Sequence, residues 1–132
     1  MNAKVTIIVP VYNTADYLQN CIDSIKNINF DSYRVIFIDN YSNDGSYEIL
    51  KKNHNKKFII IRNKKNYGQS YSLNKALRLA KSPYIAIMDS DDICLKNRII
   101  QSYEFLKKNK QYVLVAGRSN IINEKGKLIR VR

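Results

Sequence analysis

Strongly apolar runs alternate with segments of helical periodicity along the chain, and this alternation limits the possible folds. The first run, residues 5–9, is apolar on nearly every position and rich in β-branched residues, as in a strand covered on both faces. Strands of this kind are typical of parallel sheets whose crossover helices pack on the sheet faces. The pattern therefore predicts an α/β fold with a mostly parallel sheet flanked by helices.

The remaining predicted elements follow in regular order. Asn13 and Thr14 are suitable caps for a first helix, whose apolar stripe consists of Tyr17, Leu18, Cys21, Ile22 and Ile25. Further strands are predicted at 34–39, 58–61, 84–88 and 112–116, and further helices at 46–52, 70–81 and 96–109. Turn residues at 124–127 predict a C-terminal β-hairpin.

The length and the cysteines limit domain count and compartment. A chain of 132 residues has room for one buried core, so we predict a single domain over residues 1–132. Cys21 and Cys94 are far apart and the chain has one histidine, which excludes a structural zinc site. Two isolated thiols, with no apolar segment suited to a secretory leader or a membrane span, predict a cytoplasmic protein.

Acidic residues are unevenly distributed in this basic chain. Lys and Arg number 23 against 11 Asp and Glu, which gives a formal net charge of +12. Nearly half of the acids follow the second and fourth predicted strands, and these are Asp39, Asp44, Asp89, Asp91 and Asp92. Ligands of open α/β sheets bind outside the carboxyl ends of the strands. We therefore expect these carboxylates at the ligand-binding edge.

Asp89 and Asp91 form the sharpest candidate site. Side chains alternate along an extended segment, so both carboxylates point the same way. Such a pair favours a hard divalent cation whose remaining ligands are water and substrate phosphates. Asp92 is equally well explained as a cap of the next helix, and Asp44 as a cap or turn residue. The glycine spacing excludes both glycine-rich nucleotide-binding patterns, and Cys94 stands where a calcium-binding loop needs glycine.

Four segments in this order resemble family 2 glycosyltransferases of the GT-A fold. Segment 6–13 (TIIVPVYN) is similar to the opening strand of that family, and 38–46 (IDNYSNDGS) to its acidic turn. Segment 66–74 resembles the stretch that leads to the fourth strand, and 87–92 (IMDSDD) resembles the DXD region. The likeness runs from about residue 4 to the end, and it implies a Rossmann-like GT-A sheet.

The resemblance implies a nucleotide-sugar site. The implied nucleotide-sugar-binding residues are Pro10, Val11, Tyr12, Asp39, Asn66, Gly68, Asn74, Asp89 and Ser90. The Tyr12 ring would lie against the base and Asp39 would hydrogen-bond the base edge. Asp91, with Asp89, would ligate Mn²⁺ or Mg²⁺ on the diphosphate. From the residues alone, Tyr12 is also explained as a buried aromatic at the sheet edge, and Asn66 or Ser70 as a helix cap.

The implied activity is metal-dependent, inverting transfer of a sugar from a nucleotide diphosphate, UDP-linked, to a hydroxyl acceptor in glycan or polysaccharide synthesis. Family members continue into an acceptor-binding half that supplies the catalytic base, so we expect this chain to be truncated. Glu124 is the only acid after Glu104 and lies in a turn, and we assign no catalytic base. The alternative is a sugar-nucleotide-binding module without turnover.

This sequence departs from the family pattern at positions near the implied site. Asn40 stands where a second acid is common. Leu73 precedes Asn74 where the family commonly has arginine, and Lys75 or Arg78 are candidates to replace its contact with the nucleotide.

The basic residues suggest further partners. Between residues 51 and 65 there are seven basic residues and no acid. Such a run predicts attraction to anionic lipid or to a lipid-linked acceptor, and peripheral association with the inner face of a membrane. Nucleic acid is disfavoured as a partner, because no nucleic-acid-binding motif is present and the acidic crevice would repel a polyanion.

Overall fold

Four predicted strands pair in one parallel sheet. They are β1 (Val5–Val11), β2 (Tyr33–Asp39), β3 (Phe58–Arg62) and β4 (Tyr84–Ile87), in the order β3-β2-β1-β4. The computed structural model describes residues 3–131, so Met1, Asn2 and Arg132 of the predicted domain lie outside the described residues. The chain runs outward from β1 to β3 and returns on the other side of β1. The strand order therefore reverses between β1 and β4, which is where ligands bind in such sheets.

Helices cover both faces of the sheet. They are α1 (Ala15–Lys26), α2 (Ser46–Lys52), α3 (Gln69–Leu79) and α4 (Arg98–Lys108). The larger core cluster joins one sheet face to buried side chains of α1, α2 and α4. On the other face, Ala76 of α3 packs against Ile8, Ile36 and Ile38. This arrangement confirms the predicted α/β fold with a mostly parallel sheet flanked by helices.

Strand β1 shows why its sequence is apolar at almost every position. Ile7 and Val9 belong to the larger cluster, whereas Ile8 belongs to the cluster under α3. All three side chains are fully buried. Full burial of such a side chain stabilises the fold by about 1.5–3 kcal/mol each. The two-sided burial of β1 also fixes its register, because a shift by one residue would exchange the two faces.

The C-terminal hairpin is confirmed. It pairs β5 (Asn120–Ile122) with β6 (Leu128–Val131) in antiparallel fashion. In the turn, Gly126 has a φ of 74°, a conformation that favours glycine. The side chain of Asn123 accepts hydrogen bonds from the backbone N–H groups of Lys125 and Lys127.

The predicted strand at 112–116 is wrong, since the structure has no regular element there. Val113 is 96% exposed and Leu114 is 76% exposed. A strand needs both a neighbour for its backbone groups and a surface for its apolar face, and this segment has neither within residues 3–131. Strand β4 consequently forms an edge of the described sheet.

None of the helices within residues 3–131 has the length and apolar character that crossing a membrane requires.

Candidate functional site

A cavity of about 430 Å³ lies at the carboxyl ends of the strands, beside the reversal in strand order. Its lining residues come from the end of β1, from the segments that follow the four strands and from the first residue of α3. They are Pro10, Val11, Tyr12, Asn40, Asn66, Gly68, Gln69, Asp89, Ser90 and Asp91. Every residue proposed from the sequence for nucleotide-sugar or metal binding is among them, except Asp39 and Asn74. The topology thus brings together segments that are distant in the sequence.

The segment after β4 presents its two outer carboxylates to the cavity. Asp89 and Asp91 are exposed and Ser90 between them is buried, but the three residues lie in a turn after β4 and not in the extended segment that the sequence predicted. The Ser90 hydroxyl accepts a hydrogen bond from the Thr14 hydroxyl at 2.9 Å. Asp89 Oδ1 lies 3.4 Å from Gln69 Nε2, a donor that follows the Gly68 turn. The turn that carries the two carboxylates is therefore tied to the N-cap of α1 through Ser90 and to the start of α3 through Asp89.

Like charges accumulate around Asp92. Burial raises the pKa of Asp92, the neighbouring carboxylates of Asp91 and Asp89 raise it further, and Arg98 acts in the opposite direction. The cap alternative for Asp92 is wrong, because α4 begins at Arg98 and its N-cap position is Asn97. This leaves a patch of carboxylates whose mutual repulsion a cation would relieve.

The carboxylates of the cavity fit a divalent cation whose remaining ligands come from water and from a substrate. Within residues 3–131, no three His, Cys, Asp or Glu side chains converge into a cage for a metal ion. A hard cation such as Mg²⁺ commonly uses one or two carboxylates and completes its shell with water and phosphate oxygens. Asp89 and Asp91 supply two such carboxylates on one cavity wall.

The Tyr12 side chain is available to a ligand in the cavity. Its side chain is 48% exposed and lines the cavity, which contradicts the alternative of a buried edge aromatic. The following residue, Asn13, has a φ of 51°, and its Oδ1 accepts the Asn43 backbone N–H at 3.0 Å. Asparagine tolerates this left-handed conformation better than most residues. The turn after β1 is thus tied to the turn after β2.

The structure confirms the predicted role of Asp44 as a cap and turn residue. Its Oδ2 accepts the Ala15 N–H at 2.8 Å, and its Oδ1 accepts the Ser46 N–H at 3.0 Å. Asp44 thereby caps α1 from the α2 side, while the Thr14 hydroxyl at the N-cap position bonds Ser90 instead. Burial acts to raise the pKa of Asp44, but hydrogen bonds from Ser46 and Ala15 outweigh it, and the pKa lies below its ordinary value.

Asp39 is not in the cavity. Its side chain has 0% exposure, its Oδ2 lies 3.1 Å from Arg62 Nε, and it accepts the Ser42 N–H at 3.3 Å. Arg62 also donates to the Ser42 carbonyl at 2.8 Å and lies 4.5 Å from the ring centroid of Tyr47. The predicted hydrogen bond from Asp39 to the base edge is therefore not available in this arrangement. The carboxylate instead fixes the turn after β2.

Asn74 and the candidate arginine replacements also lie away from the cavity lining. Asn74 and Arg78 are exposed on α3. Lys75 Nζ donates to Asn63 Oδ1 at 3.0 Å, behind the cavity wall. The helix-cap alternative for Ser70 is wrong, because Ser70 lies inside α3 and the N-cap position is Gly68.

Sequence reasoning missed two cavity residues, Asn40 and Gln69. Asn40 is only 4% exposed, and its Nδ2 donates to Asn66 Oδ1 at 2.6 Å. The signal that could have indicated it is its position directly after β2, next to Asp39. Gln69 carried no such signal, since an isolated glutamine before a helix is an ordinary surface residue.

Comparisons with known proteins show which family this sequence matches. The sequence matches the family model described as Glycosyl transferase family 2 over residues 6–132. It is 32% identical over 130 residues to an uncharacterized glycosyltransferase of Methanocaldococcus jannaschii, covering 96% of this chain and 45% of that protein. It is 34% identical over 128 residues to the poly(ribitol-phosphate) beta-glucosyltransferase of Bacillus spizizenii, covering 93% of this chain and 20% of that protein. The chain thus spans less than half the length of these relatives.

Solved structures share the fold. The crystal structure of S. aureus TarS 1–349 in complex with UDP-GlcNAc has a TM-score of 0.76 and 26% identity, covering 81% of this chain and 32% of that chain. The mannosyltransferase PcManGT from Pyrobaculum calidifontis, in complex with GDP-Man and Mn²⁺, has a TM-score of 0.75 and 22% identity, covering 95% of this chain and 37% of that chain. Both neighbours are GT-A glycosyltransferases. Because the family model matches residues 6–132, which include every residue that lines the cavity, this chain belongs to glycosyltransferase family 2.

Proposed function

We propose that this chain is the donor-binding part of a metal-dependent glycosyltransferase that moves a sugar from a nucleotide diphosphate to a hydroxyl acceptor. The observation that carries the proposal is the pairing of two exposed carboxylates, Asp89 and Asp91, on the wall of a cavity at the strand-order reversal. Tyr12 offers an exposed aromatic face to the base. Pro10, Val11, Ser90 and the 66–68 segment complete the pocket.

Asp89 and Asp91 would hold the divalent cation, Mn²⁺ or Mg²⁺. When bound, this cation supplies positive charge that offsets the negative charge developing on the departing diphosphate. The acceptor oxygen bonds to the sugar carbon while that carbon's bond to the diphosphate breaks, and attack from the opposite face inverts the configuration. The acceptor proton passes to a carboxylate base. We assign that base to no residue of this chain.

The choice of donor and metal is supported by the structural neighbours. TarS 1–349 has been crystallised with UDP-GlcNAc, and PcManGT with GDP-Man and Mn²⁺. We propose a UDP-linked donor because TarS has the higher identity to this chain of the two. The poly(ribitol-phosphate) glucosyltransferase among the relatives supports an acceptor in polysaccharide synthesis.

The basic surface suggests how the acceptor is recruited. Lys52 ends α2, and Lys56, Lys64 and Lys65 are exposed on either side of the edge strand β3, within a segment that contains no acid. Such a surface attracts anionic lipids or phosphate-bearing acceptors. We therefore propose a glycan or lipid-linked acceptor, reached by peripheral association with the inner, cytoplasmic face of an anionic membrane.

Calorimetric titration with UDP, GDP and CDP, each with and without Mn²⁺, tests the proposal. We expect binding that requires Mn²⁺ and is tightest for UDP. Absence of metal-dependent binding by all three nucleotides would refute the proposed function. If the donor is bound but no sugar is transferred by a longer form of the protein, the alternative of a binding module without turnover is correct.

A further inference from the structure

Three asparagine side chains form a hydrogen-bonded network at the cavity wall, where Asn40 and Asn66 line the cavity and Asn63 does not. Asn40 Oδ1 accepts from Asn63 Nδ2 and from the Tyr67 backbone N–H, both at 3.0 Å. Asn40 Nδ2 donates to Asn66 Oδ1 at 2.6 Å, and Asn66 Oδ1 also accepts the Gly68 N–H at 2.9 Å. Asn40 and Asn63 are nearly inaccessible to solvent, with 4% and 2% exposure. The network thus connects the end of β2 to the segment that leads into α3.

Groups that can only donate fix the orientation of each amide. The Tyr67 N–H requires an oxygen at Asn40, and the Gly68 N–H requires an oxygen at Asn66. Lys75 Nζ, which has no acceptor capacity, requires the oxygen of Asn63 at 3.0 Å. The amide nitrogen of Asn40 must then face Asn66. No member of the network can turn over without leaving a polar group unpaired.

We propose that Asn40 is a positioning residue for donor binding, because its amide holds the 66–68 segment in place as one wall of the cavity. This inference rests on the proposed function of the same cavity. The segment needs such support, since Gly68 has a φ of 87° and Asn66 and Tyr67 are exposed. An ionised carboxylate, such as the acid that family members commonly have here, has no hydrogen to donate to Asn66.

Asn40→Asp is the sharpest test, because it keeps the shape while it replaces the amide donor by a carboxylate oxygen, which also adds a negative charge. The carboxylate oxygens that this variant introduces can still accept from Asn63 and Tyr67, but one of them faces the Asn66 oxygen. We expect the Kd for UDP in the presence of Mn²⁺ to rise about tenfold or more. Amide hydrogen exchange at Gly68 should also become about tenfold faster, because Asn66 can donate to the new carboxylate only by giving up that N–H.

Thr6→Val is the matched control. Thr6 is 3% exposed, and its hydroxyl donates to Ser82 at 2.8 Å at the other end of β1 from the cavity. The Thr6→Val substitution therefore removes one buried side-chain hydrogen bond and leaves the 66–68 segment unchanged. We expect a lower melting temperature for Thr6→Val, with the Kd for UDP and the exchange rate at Gly68 unchanged.

A second variant tests whether Asn40 influences UDP binding through its contact with Asn66. Asn66→Ala alters an exposed residue, so we expect it to fold, and it should weaken UDP binding and speed Gly68 exchange as Asn40→Asp does. If Asn40 acts through Asn66, the double variant binds UDP no more weakly than Asn66→Ala alone. Additive losses in the double variant would overturn this route.

The outcomes separate this inference from the proposed function. Failure of the unaltered protein to bind any nucleotide with Mn²⁺ refutes the proposed function and, with it, the role of Asn40. If the unaltered protein binds UDP and Asn40→Asp behaves like Thr6→Val, only the inference is wrong. If Asn40→Asp does not fold, Asn66→Ala decides, and unchanged UDP affinity in that variant overturns the inference.

Discussion

Replacement of Arg62 by methionine should destabilise the protein by about 3 kcal/mol. Asp39 is fully buried, and Arg62 Nε at 3.1 Å is its charged partner, so the variant leaves the carboxylate with only the Ser42 N–H at 3.3 Å. Removal of one partner from a buried ion pair costs about 3–5 kcal/mol. The Arg62 side chain is 34% exposed and partly hydrated, which places the loss at the lower end.

Urea unfolding followed by circular dichroism measures this loss. In a chain of this length, about 3 kcal/mol corresponds to a fall in melting temperature of about 10 °C. Arg34→Met is the matched control, since Arg34 is exposed on the adjacent strand and no acid within residues 3–131 pairs with it. We expect the control to stay within about 0.5 kcal/mol of the unaltered protein.

The double variant Asp39→Asn with Arg62→Met separates charge from packing. It removes both members of the pair, so we expect it to be more stable than Arg62→Met alone by about 1–2 kcal/mol. The reasoning is refuted if Arg62→Met costs less than about 1 kcal/mol, or if the double variant is the less stable of the two. Either result would mean that the charge of Asp39 is already satisfied without Arg62.

The other predictions concern the helix cap and the thiols. Asp44→Ala should cost about 1 kcal/mol in urea unfolding at neutral pH, because Ala15 and Ser46 lose their cap. The pKa of Asp44 is lowered by folding, so its contribution is present above the unfolded value of 3.8 and lost as pH falls through the lowered folded value; a difference that persists in acid would contradict this. Burial raises the pKa of Cys21 to about 12 and also raises the pKa of Cys94. A disulfide reagent should therefore modify both thiols only after unfolding, and rapid reaction of the folded protein would show that they are accessible.

Much of the sheet could be predicted because its pattern is local. The first two strands are apolar on successive positions since both faces are covered, and β1 extends two residues further than its predicted end at Val9. Gly126 identified the hairpin because a positive φ is needed there. Asp89 and Asp91 both line the cavity, although they lie in a turn after β4 and not in the extended segment that the prediction assumed.

The failures have a common physical origin, which is that the deciding partner lies elsewhere in the sequence. The segment 112–116 has strand propensity, but no neighbouring strand covers it within the described residues. Asp39 looked like a free ligand because its partner, Arg62, comes from the end of another strand. In the sequence Asn40 is only a departure from the family pattern, since its role depends on contacts with Asn63 and Asn66.

The affinity for UDP as a function of Mn²⁺ concentration, measured by calorimetry in the unaltered protein and in Asp91→Asn, tests the central claim most directly. Asp31→Asn is the control, because this fully exposed aspartate precedes β2 at the end of the sheet opposite the cavity. We predict that Mn²⁺ tightens UDP binding at least about tenfold in the unaltered protein and in the control. Asp91→Asn should keep the same melting behaviour and lose the Mn²⁺ dependence. Retention of the full Mn²⁺ effect in Asp91→Asn would contradict the assignment of the metal to this cavity.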